Sequence, residues 1–121
     1  MPWLPDLHSP DEDRDFFAGE LAASRGWGVR RDGTLLGVAL VRDGVLTQLY
    51  VSPGWQGRGI GSALLAAARA EAREPLQLWV FARNARAREF YARAGFEVER
   101  ATDGSGNEER GPDLLLRDGS R

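Results

Sequence analysis

The alternation of apolar and polar residues predicts a chain of short strands and helices. A first helix is expected over residues 9–24, because Ser9-Pro10-Asp11-Glu12 has the pattern of a helix start and Phe17 and Leu21 stand four positions apart. Two Asp-Gly pairs indicate tight hairpin turns, since this dipeptide tolerates the positive φ of a type I′ turn. The segments around these pairs predict an antiparallel meander of three strands, over residues 27–31, 34–41 and 45–51.

The second half of the chain alternates between predicted helices and strands. An apolar stripe of period 3.6 indicates a helix over residues 59–73, and Pro75 ends it. Gly95 is suited to end a second helix, over residues 85–94. Further strands are expected at residues 76–81, 96–100 and 114–116, with a polar, glycine-rich loop at 102–112. This order of elements predicts an α/β fold (α+β, three-layer) with a strand–helix–strand crossover.

Length and composition exclude several classes of protein. With 121 residues, of which 42% are hydrophobic, the chain is expected to form a single domain over residues 1–121. The absence of Cys excludes a disulfide scaffold, a thiolate zinc site and a cysteine nucleophile. His8 is the only His, so we expect no metal site. All 16 basic residues are Arg, which excludes the lysine-dependent P-loop NTPases.

Charge and hydropathy narrow the expected partners and location. The formal net charge of -2 argues against broad nucleic-acid binding, which is typical of basic domains. The chain has no apolar run long enough to cross a membrane and no pattern of a signal peptide. We therefore expect a cytoplasmic protein without a membrane partner.

The segment from residue 49 to residue 62 carries the candidate chemistry. A predicted strand, Leu49-Tyr50-Val51, leads to the loop Gln56-Gly57-Arg58-Gly59, and a helix opens at Ile60-Gly61-Ser62. Amides at a helix N-terminus attract phosphate, and glycines let the backbone approach it closely. The spacing fits Q/R-x-x-G-x-G rather than the dinucleotide pattern G-x-G-x-x-G, because residue 62 is Ser. Residues 56–62 are thus predicted to hold a pyrophosphate; the alternative is a glycine-rich turn without a ligand.

A second motif follows at residues 84–96, Asn84-Ala85-Arg86-Ala87-Arg88-Glu89-Phe90-Tyr91-Ala92-Arg93-Ala94-Gly95-Phe96. It is similar to the pattern N-x-x-A-x-x-F-Y-x-x-x-G-F, motif B of the GCN5-related N-acetyltransferases (GNAT superfamily). Residues 49–61 resemble motif A of the same family, and the resemblance covers about residues 9–117. Residues 8–13 and the segment around 102–113 resemble a bacterial subgroup of unassigned substrate. The resemblance implies a GNAT-like mixed central sheet flanked by helices, with the family's N-terminal strand and first helix missing here.

The resemblance also implies an activity and residue roles. The chain would be an acetyl-CoA-dependent N-acetyltransferase that transfers the acetyl group by direct attack of a primary amine, without a metal. Backbone groups of Leu49 to Val51 would pair with the pantetheine arm and polarise the thioester carbonyl. Amides of residues 57–62 would hold the pyrophosphate, and Asn84 would contact the cofactor. Tyr91 would be the general acid that protonates the leaving CoA thiolate.

Helical spacing supports part of this interpretation. Asn84, Ala87, Arg88 and Tyr91 stand at i, i+3, i+4 and i+7, so one helix face is expected to present all four. The alternative for Tyr91 is an amphipathic core aromatic. The Arg-rich helix is expected to neutralise the 3′-phosphate of CoA or to be a solvated face; its residues are Arg83, Arg86, Arg88 and Arg93.

No general base carries over from the family, because the strands at residues 45–51 and 76–81 contain no carboxylate. The candidates are a water chain, Glu108, Glu109, Asp113 and His8. Acidic residues would make an amine pocket suited to a cationic acceptor, a small molecule or a peptide, or would be solvated surface; they are Asp11, Glu12, Asp13, Glu108, Glu109 and Asp113. The missing base also motivates an alternative function, a CoA-binding module with little or no catalysis. A nucleic-acid or protein adaptor is a weaker third hypothesis.

The short N-terminal segment predicts an oligomer. Only eight residues precede the first predicted helix, so the strand at residues 27–31 is expected to be an open sheet edge. Such an edge tends to pair with another chain, and we predict a homodimer that completes the sheet or the acceptor pocket.

Overall fold

The computed structural model describes residues 14–103 and 112–120. The described residues divide into two compact units, one before and one after the boundary between Arg73 and Glu74. The first unit contains β1 (Arg14–Leu21), β2 (Ser24–Arg31), β3 (Thr34–Arg42), β4 (Val45–Val51), a 3-10 turn (Pro53–Trp55) and α1 (Ile60–Glu71). The second contains β5 (Gln77–Phe81), α2 (Ala85–Arg93), β6 (Phe96–Ala101) and β7 (Asp113–Asp118). That the whole chain is one domain stays a prediction.

The first unit is an antiparallel meander in which each strand pairs with the next along the chain. Both Asp-Gly turns have the conformation that the sequence predicts. Asp32 and Gly33 have φ values of 51° and 80°, and Asp43 and Gly44 have φ values of 52° and 79°. Positive φ at both central residues is the property of a type I′ turn, whose twist matches that of the flanking strands.

The predicted helix over residues 9–24 is wrong from residue 14 onward, and its first five residues lie outside the described ranges. Residues 14–21 form β1 instead, and every one of them pairs with β2. Phe17 lies directly opposite Gly28, where its ring fills the space that a side chain would need. The pairing with β2 outweighs the local helical spacing, because neighbouring strands bury apolar surface that an isolated helix cannot.

The prediction that residues 27–31 form an open sheet edge is also wrong. β1 pairs with β2 from Arg14 opposite Arg31 to Leu21 opposite Ser24, so this edge is covered along its whole length. The argument for a homodimer from residues 27–31 therefore no longer holds, because β1 is the edge strand instead. The homodimer and the cytoplasmic location stay predictions, and no helix in the described ranges is long and apolar enough to cross a membrane.

Helix α1 packs against β2, β3 and β4. Its buried residues are Ile60, Leu64, Leu65, Ala67 and Ala68. Four of them belong to the apolar stripe that the sequence predicts; the fifth residue of that stripe, Ala72, is the C-cap instead. Gly37 on β3 lies directly beneath the helix start, where an added Cβ would come within 2.9 Å of Ile60 Cγ2 and 3.1 Å of Leu64 Cδ1. This close approach requires a glycine, and it holds the first turn of α1 against the sheet.

The far end of α1 is held to β2 by one carboxylate. Glu71 accepts hydrogen bonds from Arg25 Nε at 3.1 Å and from Trp27 Nε1 at 2.9 Å. Burial raises the pKa of Glu71, but the hydrogen bonds from Arg25 and Trp27 and the charge of Arg25 outweigh it, so the pKa lies below its usual value. The two ends of α1 are thus anchored by different means.

The second unit has β7 between β5 and β6, antiparallel to both. Its buried side chains include Leu78, Val80, Phe96, Leu114 and Leu116. Asp118 at the end of β7 is 1% exposed; its Oδ1 accepts from the Ser120 amide at 3.0 Å, and its own amide donates to the Leu76 carbonyl at 2.9 Å. The predicted helix and three strands of this half are confirmed, with ends that shift by one or two residues.

Candidate functional site

The glycine-rich loop between β4 and α1 is anchored at its first residues. The Ser52 amide donates to the Leu36 carbonyl at 2.8 Å, and the Trp55 amide donates to the Ser52 carbonyl at 2.8 Å. Gln56 was expected to line the pyrophosphate site, and the structure gives its side chain a local partner: Nε2 donates to the Val51 carbonyl at 3.2 Å. These three bonds fix the direction in which the chain leaves β4.

Two glycines in this loop adopt the left-handed conformation. Gly57 has φ 78° and Gly59 has φ 83°. An added Cβ at either position would meet nothing within 4 Å. Glycine is therefore required here by the backbone conformation rather than by crowding, and open space lies beside the loop. A ligand can approach this backbone closely.

The N-terminus of α1 offers amide donors without a side-chain cap. Gly59 is the N-cap, no side chain caps the helix, and no acidic residue stands in its first turn. The Ala63 amide makes the first bond within the helix, to the Gly59 carbonyl at 3.0 Å. The amides of Ile60, Gly61 and Ser62 therefore have no acceptor inside the helix. They lie at the N-terminus of α1, which is the positive end of the helix dipole. This geometry can bind an anion.

Strand β4 carries an irregularity just before the residues predicted to contact the pantetheine arm. Leu40 pairs with Gln48 and Val41 with Leu46, so Thr47 is an extra residue in β4. Its hydroxyl donates to the Leu40 carbonyl at 3.3 Å. Such bulges re-aim a strand and are common beside active sites. The sequence contains no signal for this one, because its position depends on the register with β3.

Beyond the bulge, Leu49, Tyr50 and Val51 lie opposite Ala39, Val38 and Gly37. The side chains of Leu49 and Val51 are half-buried, whereas Tyr50 is 42% exposed. The strand thus holds these three residues in a fixed, extended backbone geometry immediately before the loop.

In the second unit, Asn84 has a structural task that sequence reasoning missed. It is the N-cap of α2, and its Oδ1 accepts from the Ala87 amide at 3.1 Å. Asn at this position is a favoured capping residue, so the signal was present in the sequence. Arg88 reaches back from the helix, and its Nη1 donates to the Ala82 carbonyl at 2.9 Å. Both side chains stabilise the start of α2.

Tyr91 lies on α2 among aromatic rings. Its ring centroid is 5.1 Å from that of Phe90 and 5.5 Å from that of Phe96, and both contacts are edge-to-face. Burial raises the pKa of Tyr91 to about 12. The hydroxyl is therefore protonated throughout the physiological pH range.

Some of the other residues singled out in the sequence, the arginines near α2 and the candidate bases, have partners within the described ranges. Arg93 forms an ion pair with Glu89 one turn away, and the Arg83 guanidinium lies 4.6 Å from the Phe81 ring centroid. Asp113 accepts a hydrogen bond from the Thr102 hydroxyl. The other candidate bases and the N-terminal acidic residues lie outside the described ranges: His8, Asp11, Glu12, Asp13, Glu108 and Glu109.

Comparison with known proteins identifies the family. The Acetyltransferase (GNAT) family matches residues 1–96. The chain belongs to this family. An uncharacterized N-acetyltransferase of Mycobacterium bovis is 37% identical to this GNAT chain in an alignment 78 residues long; the alignment covers 57% of the chain and 50% of the relative. The chain thus spans about half the length of the curated relatives it matches.

Solved structures confirm the GNAT-like α/β fold. YjaB from Escherichia coli, solved in its apo form, matches 77% of the chain with a TM-score of 0.67 and 26% identity; the match covers 63% of that protein. PaiA N-acetyltransferase from Thermoplasma acidophilum, solved in complex with coenzyme A, matches 78% of the chain with a TM-score of 0.63 and 27% identity; the match covers 59% of that protein.

Proposed function

We propose that this GNAT chain is an acetyl-CoA-dependent N-acetyltransferase that transfers an acetyl group to a primary amine. One observation carries the proposal: two left-handed glycines lead directly into an uncapped helix N-terminus, in a chain of the acetyltransferase family. The similarity to a GNAT enzyme solved with coenzyme A supports the same ligand here. Bound acetyl-CoA supplies the acetyl thioester that an amine attacks.

The loop fits a diphosphate in shape and in charge. Open space lies beside Gly57 and Gly59, so phosphate oxygens can reach the backbone amides of residues 57–62. The first turn of α1 contains no carboxylate that would repel them. Each favourable charge at a helix N-terminus is worth about 0.3–1 kcal/mol, and amide hydrogen bonds to a charged group add about 1.5–3 kcal/mol each.

The backbone of β4 is the proposed partner of the pantetheine arm. An extended strand offers amides and carbonyls at a regular spacing, which suits an arm that itself contains amide groups. In the proposal, one amide among Leu49, Tyr50 and Val51 also donates to the thioester oxygen, where negative charge develops during attack. Donors of this kind contribute about 2.7–4 kcal/mol to transition-state stabilisation.

Tyr91 is the proposed proton donor to the leaving sulfur. A pKa of about 12 keeps the hydroxyl protonated, but a free thiol has a pKa near 8.5, so complete proton transfer to the released thiolate is uphill by about 5 kcal/mol. We therefore assign Tyr91 a hydrogen bond to the sulfur that strengthens as negative charge builds up during C–S cleavage. The proton passes to the thiolate as it leaves, and the proton that the attacking amine loses restores the tyrosine hydroxyl. Burial strengthens such a bond because the local dielectric constant is low.

A second function, CoA binding with little or no catalysis, is favoured by the absence of a base. Neither β4 nor β5 contains a carboxylate. Asp113, the one candidate base within the described ranges, already accepts a hydrogen bond from Thr102. An amine that reaches the site uncharged needs no strong base before it attacks the thioester. The acetyltransferase and the CoA-binding module therefore differ only in whether an amine acceptor is bound in a position from which it can attack.

Calorimetric titration with CoA, followed by a thiol-release assay with acetyl-CoA, separates the two functions. The assay uses a panel of small primary amines and of peptides with free α-amines. Binding together with thiol release for at least one amine supports the acetyltransferase. Binding without release for the whole panel supports the binding module, and absence of binding contradicts both.

A further inference from the structure

Three side chains beside the glycine-rich loop form a cluster that the proposed function does not use. The Cζ atoms of Arg31 and Arg58 lie over the Trp55 ring, 5.4 Å and 4.8 Å from its centroid. We propose that these two guanidinium groups, held on Trp55, bind the 3′-phosphate of CoA and so select the complete cofactor over dephospho-CoA. The inference rests on the proposed function, because it assumes that the loop binds CoA.

The cluster is assembled from two places in the first unit. Arg31 is the last residue of β2 and lies opposite Thr34, the first residue of β3. Trp55 ends the 3-10 turn after β4, and Arg58 stands between the two left-handed glycines. The bond from the Ser52 amide to the Leu36 carbonyl ties the beginning of β3 to the end of β4. The cluster is therefore a fixed neighbour of the amides proposed to hold the pyrophosphate.

Within the described ranges, neither Arg31 nor Arg58 forms an ion pair with a carboxylate. Other arginines of the same unit do: Arg30 lies 3.0 Å from Asp15, and Arg25 lies 3.1 Å from Glu71. A chain with a net charge of -2 thus keeps, beside one aromatic ring, two arginines that have no carboxylate partner in the described ranges. Uncompensated charges of one sign in close proximity attract a counter-ion.

The cation–π contact with Trp55 suits these groups to bind phosphate. A guanidinium that lies over an aromatic face keeps its N–H donors at its edges, so stacking does not consume them. It also restricts the long side chains, which reduces the entropy lost when a ligand is bound. Arginine then offers the planar pair of donors that matches two phosphate oxygens.

The charge of the cluster favours a phosphate monoester. A phosphate monoester carries a charge of about -1.5 to -2 at neutral pH. Each phosphate of the CoA pyrophosphate is linked on two sides, as in a diester, and carries a charge of about -1. Two guanidinium groups therefore suit the 3′-phosphate, and the loop amides suit the pyrophosphate. The sequence offered four other arginines for this phosphate or for a solvated face: Arg83, Arg86, Arg88 and Arg93. Of these, Arg88 already bonds to the Ala82 carbonyl and Arg93 to Glu89.

The test compares the binding of CoA and dephospho-CoA by calorimetry. The variants are Arg31→Gln, Arg58→Gln, the double variant with both substitutions, and Arg58→Lys. The last one keeps the positive charge but loses the planar pair of N–H donors of the guanidinium group. Arg42→Gln is the matched control, because Arg42 is an exposed arginine at the opposite end of β3, about 25 Å along the strand from Thr34. Circular dichroism and a melting curve check that each variant is folded.

We expect the unmodified chain to bind CoA at least about tenfold more tightly than dephospho-CoA, as one charged hydrogen-bonded pair provides. Each Gln variant should lose most of this preference, the double variant should lose all of it, and Arg58→Lys should keep part. Arg42→Gln should keep the full preference. The affinity for dephospho-CoA should change little in Arg31→Gln and in Arg42→Gln, because both residues lie outside the loop proposed to hold the pyrophosphate.

Two results overturn the inference while leaving the proposed function intact: equal binding of CoA and dephospho-CoA by the unmodified chain, or an undiminished preference in the folded double variant. A loss of the preference in Arg42→Gln as well also contradicts it, because the effect would then come from overall charge. If the unmodified chain binds neither ligand, the proposed function fails and the inference fails with it.

Discussion

Tyr91 meets Phe96 edge-on, with ring centroids 5.5 Å apart and ring planes at 67°. Phe96 is a buried residue at the start of β6, so this contact fixes the Tyr91 ring against the core of the second unit. The aromatic body serves packing, and the hydroxyl is the only part of the side chain that a phenylalanine would lack. A single substitution can therefore separate the two roles.

Tyr91→Phe should lower kcat by about 10²–10⁴-fold, the usual contribution of a general acid. CoA affinity and melting temperature should stay nearly unchanged, because the ring contacts with Phe90 and Phe96 remain. Steady-state kinetics under conditions where chemistry limits the rate provides the measurement. An unchanged kcat would show that another group, or water, protonates the sulfur.

The raised pKa of Tyr91 predicts a loss of stability at alkaline pH. Its pKa is about 12 in the folded chain, against 10.0 for an unperturbed tyrosine, so the folded chain retains its proton to higher pH than the unfolded chain. The stabilisation is complete below about pH 10 and is lost as the pH rises toward 12, a difference of about 2–3 kcal/mol. Denaturant unfolding at a series of alkaline pH values should show this slope, and Tyr91→Phe should reduce it. An equal slope in both proteins would contradict the assignment.

The capping bond of Asn84 predicts which substitutions the second unit tolerates. Asn84→Ala removes the acceptor of the Ala87 amide and should destabilise the chain by about 1 kcal/mol. Asn84→Ser retains a capping oxygen and should restore most of that stability. CoA titration of Asn84→Ser then tests the separate cofactor contact: reduced affinity at unchanged stability supports it, and unchanged affinity leaves only the cap.

The link between Glu71 and β2 predicts an acid-sensitive contribution to stability. Because the pKa of Glu71 is lowered in the folded chain, the contribution is present above its ordinary value of 4.5 and is lost as the pH falls through the folded value. Glu71→Gln should cost up to about 1 kcal/mol near neutral pH, since the side chain is partly exposed, and less at low pH. Unfolding of both proteins at pH 7 and near pH 3 checks this. A loss that is equal at the two pH values would mean that the charge does not matter.

The sequence predicted those elements whose signals are local. The Asp-Gly turns, the apolar stripe of α1 and the glycine loop depend on residues within a few positions of one another. The hairpin between β1 and β2 does not: it turns at Ala22 with φ 54°, a conformation that alanine seldom adopts, and no turn signal precedes it. Its stability comes from contacts such as Phe17 on Gly28, which only the paired strands create.

The same distinction holds for the candidate site. The helix N-terminus and its glycines could be predicted, because the glycine-rich loop and the helix that follows it are continuous in the chain. The bulge at Thr47, the close fit of Gly37 under Ile60 and the stacking of Arg31 on Trp55 could not. The bulge depends on the register between two consecutive strands, and the other two contacts join segments that are distant in sequence.

The most direct test of the central claim is calorimetric titration of CoA into the unmodified chain and two alanine variants. Gly59→Ala and Gly44→Ala place the same strain in the backbone, because both glycines have φ near 80° and open space around the Cβ position. Gly59 opens α1, whereas Gly44 lies in the turn between β3 and β4. We predict CoA binding by the unmodified chain, a Kd at least about tenfold higher for Gly59→Ala, and an unchanged Kd for Gly44→Ala, at similar losses of stability. Equal affinities in the folded Gly59→Ala variant and the unmodified chain would contradict the claim that this loop binds the cofactor.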